Sequence, residues 1–126
     1  MSHPRCLTHL IIIAALLSGC AHQTIGPKMD GSAGVNTQDL VIRFGYPKCT
    51  VSVPLSEEEA VESARLVGAP DINQREEWTA LVGMMISGDE LRHVWCSPRR
   101  GRGGIDLIGV FRDKRLIAEL HTVIVD

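Results

Sequence analysis

Aromatic side chains are scarce, 4% of 126 residues, and neither sign of charge dominates, with Lys plus Arg at 13 and Asp plus Glu at 15. That balance excludes a strongly basic nucleic-acid binder and a polyacidic tail. The chain has no Cys-x-x-Cys pair, no His-Glu-x-x-His helix, no Gly-x-Ser-x-Gly elbow and no phosphate-binding glycine loop. The short signatures of thiol-redox, zinc-hydrolase, serine-hydrolase and nucleotide chemistry are therefore missing. Internal repeats are missing too, which removes solenoids and propellers. What is present is 44% hydrophobic. That is too apolar for a disordered chain, and the length suits one small domain.

The apolar residues are unevenly spread. Leu7 to Leu17 is apolar except for Thr8 and His9, and Arg5 precedes it. The run is too short to cross a bilayer, which takes about 20 apolar residues, but has the size of a secretory h-region. Leu17-Ser18-Gly19-Cys20 follows it directly. These four residues resemble the lipobox of bacterial lipoproteins. The resemblance implies diacylglycerol on the Cys20 thiol, cleavage before Cys20 and acylation of the new amine. It also implies that Ala21, standing where Asp would retain a lipoprotein at the inner membrane, sends the protein to the outer membrane. The expected layout is a signal over 1–19, a lipidated Cys and tether over 20–37, and a small α+β domain over 38–126.

Cys6 leaves with such a signal and Cys20 becomes a thioether, so Cys49 and Cys96 remain. An even remainder in an exported small domain reads as one disulfide.

From Ala21 to about Asn36 the chain carries Gly26, Pro27, Gly31, Ser32 and Gly34 with few large apolar groups, the composition of a tether. Leu40–Phe44 and Cys49–Val53 are β-rich on either side of Gly45-Tyr46-Pro47-Lys48, which predicts one or two strands. Ser56 and Glu59 form a capping box for a helix that ends near Val67, before Gly68 and Pro70. Asp71 or Asn73 is the expected cap of a second helix, where Trp78, Leu81, Val82 and Met85 make a core-facing stripe. Three strands should close the chain: Glu90 to Ser97, Ile105 to Arg112, and Arg115 to Val125, with Asp113-Lys114 as the second turn. The expected fold is α+β, with the helices on one side of an antiparallel sheet of three to five strands. The last hairpin is apolar on both faces, which calls for a central position or a covered second face. On the last strand Leu116, Ala118, Leu120 and Ile124 should share a face.

Two resemblances extend this reading. Gly88-Asp89-Glu90-Leu91, Ser97-Pro98, Gly109-Val110-Phe111-Arg112-Asp113 and Thr122 are similar to a recurring uncharacterised bacterial pattern over residues 78–126. Two helices followed by three strands, with Val67-Gly68-Ala69-Pro70 ending a helix, is also similar in topology to the small outer-membrane lipoproteins of the β-barrel assembly machinery. Trp78 departs from them by opening a helical stripe.

Chemistry-bearing residues are few. Arg99, Arg100 and Arg102 stand among glycines, with Arg92 upstream, and form a candidate anion- or partner-docking loop for an envelope protein or a lipid head group. Glu119 and His121, two apart on one strand, are a weak metal pair. Asp89, Glu90 and Asp106 make a carboxylate pair only where the fold joins them. The reading is a non-enzymatic envelope module, without nucleic acid, metal or cofactor beyond the lipid on Cys20. The alternative is a small envelope enzyme or inhibitor using Asp89, His93, Asp106 or His121.

Overall fold

A computed structural model describes residues 28–29 and 31–125; the segment 1–19 expected to be a signal, and Cys20, lie outside them. Seven elements follow in order: α1 (Thr37–Phe44), β1 (Lys48–Val51), α2 (Glu57–Leu66), α3 (Glu76–Gly83), β2 (Glu90–Ser97), β3 (Gly104–Arg112) and β4 (Arg115–Val125). Short 3-10 helices occupy Gly31–Gly34 and Ile72–Gln74. The strands form one antiparallel sheet in the order β1-β2-β3-β4. The fold is α+β and its C-terminal strands are a meander, as the pattern predicts. No helix among the described residues is long and apolar enough to cross a membrane.

Helices lie on both faces of this sheet. On one face Leu91, Ile108, Val110 and Leu120 pack against Ala60 and Ala64 of α2, Ile72, and Trp78 and Leu81 of α3. The Trp78 stripe is core. On the other face Val51, Val94, Leu107 and Phe111 pack against Leu40 of α1 and Val35. The expectation of helices on one side only is thus corrected, and so is the strand expected at Leu40–Phe44. That segment is helical because Asn36 accepts a hydrogen bond from the Asp39 N–H. Gly45 then ends it in the left-handed region, at φ 74°. A strand would put Leu40, Ile42 and Phe44 on one side. The helix instead turns Leu40, Val41 and Phe44 to the core and leaves Ile42 72% exposed.

The stretch read as a tether contributes to the fold from Lys28 on. The Val53 N–H donates to the Lys28 carbonyl, and the Asn36 N–H to the Lys114 carbonyl. Arg92 is no part of the arginine loop. It is 4% exposed, and its guanidinium donates to the Gly31 and Ser52 carbonyls, holding the first 3-10 helix against the end of β1.

α2 starts at the expected capping box, with Ser56 and Glu59 each bonded to the other's backbone N–H. Neither Asp71 nor Asn73 caps α3; Arg75 holds the N-cap position without a side-chain hydrogen bond. Arg75 instead donates to the His121 and Thr122 carbonyls, which covers part of the outer edge of β4. β4 carries two extra residues relative to β3, Ile117 and Thr122, at register shifts opposite Val110/Phe111 and Asp106/Leu107. The first bulge separates Leu116 from Ala118 and Leu120, which pack on the opposite face. A bulge switches side chains between faces, and nothing in the alternation of β4 marks one.

Cys49 and Cys96 are cross-strand partners at disulfide distance, with 2.08 Å between sulfurs and a sequence separation of 47. The link ties edge strand β1 to β2. Closing a loop of that length removes unfolded-state entropy worth up to about 4 kcal/mol. Replacing both cysteines with alanine should lower stability by about 2–4 kcal/mol in urea unfolding followed by circular dichroism, and the wild type in reductant should match the double variant.

Candidate functional site

Period-two alternation along β2 places Leu91, His93 and Trp95 on the face that α2 and α3 cover. Those helices reach only part of that face. Leu91, Ile108 and Val110 lie beneath them, whereas Trp95 and Asp106, paired near the other end of β2 and β3, do not. There the sheet, the end of α2 and the segment at Met29 enclose a cavity of about 440 Å³. Its walls are Met29, Thr50, Val67, Trp95 and Val123, with His93 and Asp106 beneath. The surface it presents is overwhelmingly apolar. Gly104 lies against the Trp95 wall: a Cβ there would come within 2.6 Å of the Trp95 ring, so the indole's position requires glycine.

The polar groups beneath the cavity are turned on one another. His93 Nε2 lies 2.8 Å and 2.7 Å from the two Asp106 carboxylate oxygens. A carboxylate only accepts, so the ring proton sits on Nε2 and donates. Thr122, carried over Asp106 by the second β4 bulge, donates its hydroxyl to the same carboxylate. On the far side the His93 N–H donates to Ser52 Oγ at 2.9 Å, and the Ser52 N–H donates to the His93 carbonyl. One residue from each strand or its end, Ser52, His93, Asp106 and Thr122, thus makes a polar line across the sheet. His93 Nδ1 is buried and has no hydrogen-bond partner among the described residues.

Of Asp89, His93, Asp106 and His121, only His93 and Asp106 converge at the cavity. Asp89 sits at the opposite end of β2–β3. Its carboxylate takes the fork of Arg112 through Nε at 2.9 Å and Nη2 at 2.8 Å, and accepts the Ile86 N–H at 3.0 Å. The Arg112 fork, followed by the Ile86 N–H, pulls the Asp89 carboxyl from its usual 3.8 down to about 2. Glu90 bonds Arg92, so Asp89, Glu90 and Asp106 form no carboxylate pair. His121 faces α1. It bonds Glu119 at 2.9 Å, Glu119 also pairs with Arg43, and the Phe44 ring meets the imidazole edge-on. Glu119 and His121 therefore fasten α1 to β4. Among the described residues no group of three or more His, Cys, Asp or Glu could hold a metal.

Arg99, Arg100 and Arg102 are exposed on the loop between β2 and β3, which leaves the sheet just beyond the Trp95–Asp106 pair. No hydrogen bond or ion pair joins any of the three to another described residue. Lys48, paired with Ser97 at the start of β1, adds a fourth cation at this end. Sequence reasoning marked the loop and His93 and Asp106 but missed Trp95, Val67 and Thr50. The alternation Leu91-His93-Trp95 was the available signal; Val67 and Met29 come together only through the fold.

Two outcomes follow. Removing one partner of a buried hydrogen-bonded pair leaves the other unsatisfied, so His93→Leu should cost about 1–3 kcal/mol in urea unfolding, and the double change His93→Leu/Asp106→Leu should recover most of it. Asp89 is ionised more readily in the folded chain. Its contribution is therefore complete above the usual carboxylate range and is lost as pH falls through about 2. Asp89→Asn should flatten the stability curve between about pH 4 and pH 2 in acid titrations followed by circular dichroism.

No protein-family model, no curated protein and no solved structure matches the chain, so the functional reading rests on its own geometry and charge.

Proposed function

We propose that this protein is a lipid-anchored, non-enzymatic module of the bacterial envelope that binds a small apolar ligand in the cavity between Trp95, Val67, Val123 and Met29. The observation that carries the reading is the cavity itself. At about 440 Å³ it falls within the roughly 300–1,000 Å³ of small-molecule sites. Its apolar lining favours hydrocarbon over a polar substrate.

The His93–Asp106 pair supports binding over catalysis. An acid–base or nucleophilic site needs a group free to reach substrate. Here His93 Nε2, both Asp106 oxygens and the Thr122 hydroxyl are spent on one another, and Nδ1 is buried. The Thr50 hydroxyl donates to the Trp95 carbonyl. The pair acts as a fastening under the cavity floor.

The lipobox resemblance supplies the address, the outer membrane facing the periplasm, and the position of Met29 fits it. Nine peptide steps separate Cys20 from Met29. Even fully extended they span no more than about 30 Å. An acylated Cys20 therefore holds the cavity within a short reach of the bilayer, where apolar ligands reside.

Two measurements test this. In cells, Cys20→Ala should leave an unprocessed precursor that incorporates no radiolabelled palmitate; normal processing would overturn the anchor. The acylated protein in phosphatidylcholine nanodiscs should be labelled by photoreactive dodecanol on the peptides carrying Trp95 and Val123. Val67→Arg, at a position 40% exposed, should abolish that labelling with little change in thermal stability; labelling elsewhere, or unaffected by the arginine, would overturn the cavity reading.

A further inference from the structure

The apolar cavity and the arginine loop occupy the same end of the sheet. β2 runs from Trp95, in the cavity wall, through Cys96 and Ser97 into the loop, and β3 returns from the loop through Ile105 to Asp106, beneath the cavity. The loop Pro98–Gly103 thus continues the two strands that carry the cavity floor. Arg99, Arg100 and Arg102 have no anionic partner among the described residues, and Lys48 stands beside them. An apolar chamber with cations at the same end of the sheet fits a molecule of matching polarity.

We propose that the ligand is a single-chain anionic amphiphile, a long-chain carboxylate, with its alkyl chain against Trp95, Val67 and Val123 and its carboxylate on the guanidinium groups of Arg99, Arg100 and Arg102. The inference rests on the cavity reading and adds the ligand's head group and orientation. Three observations select it. The Asp106 carboxylate beneath the cavity repels an anion from the floor, so the charged end must lie outward, toward the loop. Guanidinium forks match carboxylate oxygens in paired, charge-assisted hydrogen bonds. Most polar atoms of the lining are already engaged, the Thr50 hydroxyl with Trp95 and the His93 Nε2 with Asp106, which leaves the buried His93 Nδ1 as one acceptor. One acceptor cannot satisfy the several hydroxyls of a sugar or glycerol head, whose burial without partners is costly. A carboxylate asks only for the arginines.

The test measures competition against photoreactive dodecanol on the acylated protein in phosphatidylcholine nanodiscs, where the lipid carries no net charge. Unlabelled laurate should displace the probe at about one-tenth the concentration dodecanol requires, the factor expected for charge-assisted contacts at a partly exposed rim. Arg99→Ser/Arg100→Ser/Arg102→Ser should bring laurate to parity with dodecanol while probe labelling persists, which also reports that the variant is folded. Parity in the wild type, a laurate preference that survives the triple change, or lauroyl-lysophosphatidylglycerol displacing the probe better than laurate would overturn the carboxylate assignment while leaving the cavity reading intact. Absence of labelling by dodecanol would instead overturn the cavity reading beneath it.

Discussion

The central strands β2 and β3 bury side chains on both of their faces, and water must be kept from each. Val94, Leu107 and Phe111 point one way, Leu91, Ile108 and Val110 the other. Leaving a Leu, Val or Phe in water costs about 1.5–3 kcal/mol relative to burial, so neither face can stay bare in a domain this small. α2 and α3 cover one. The other is left to the residues before β1, and that demand makes a helix of Thr37–Phe44 and draws Val35 into the core.

Cover on the first face is incomplete. α2 ends at Leu66, and Gly68 adopts φ 100°, which turns the chain before it reaches the Trp95 end of the sheet. The gap would expose His93 and Asp106 were their polar atoms free. Instead they bond each other, Thr122 and Ser52, and present mostly hydrocarbon upward. Buried polar groups that satisfy one another can lie under an apolar surface without the penalty of bare ones. An open chamber with a greasy lining is the result, and the arginine loop stands at its edge because β2 and β3 both run into it.

Much of the fold was legible. The capping box at Ser56 and Glu59, the Trp78–Leu81 stripe, the three C-terminal strands and the Asp113-Lys114 turn are local signals, decided by hydrogen bonds and periodicities within a few residues. Both turn residues have positive φ, 50° and 68°, as a two-residue hairpin loop requires. Of the one or two strands that the β-rich content predicts, only the one at Cys49 forms, and Leu40–Phe44 is helical, because such content is a weak guide beside a cap and a face in need of cover. The site was half legible. His93, Asp106 and the three arginines stand out by type, but Asp89 and His121 stand out equally, and nothing local says that one bonds Arg112 and the other faces α1.

By itself the sequence determined the four residues that resemble a lipobox, the even pair of cysteines, the helix caps and the strand periods, because each is written in side chains a few positions apart. The tertiary structure alone decided which histidine met which carboxylate, that Thr122 would reach Asp106 through a bulge, that Cys49 would stand opposite Cys96, and that an apolar chamber would open beside the arginines. Those pairings depend on strand register and on how far one helix extends, and both are settled by packing between residues dozens of positions apart.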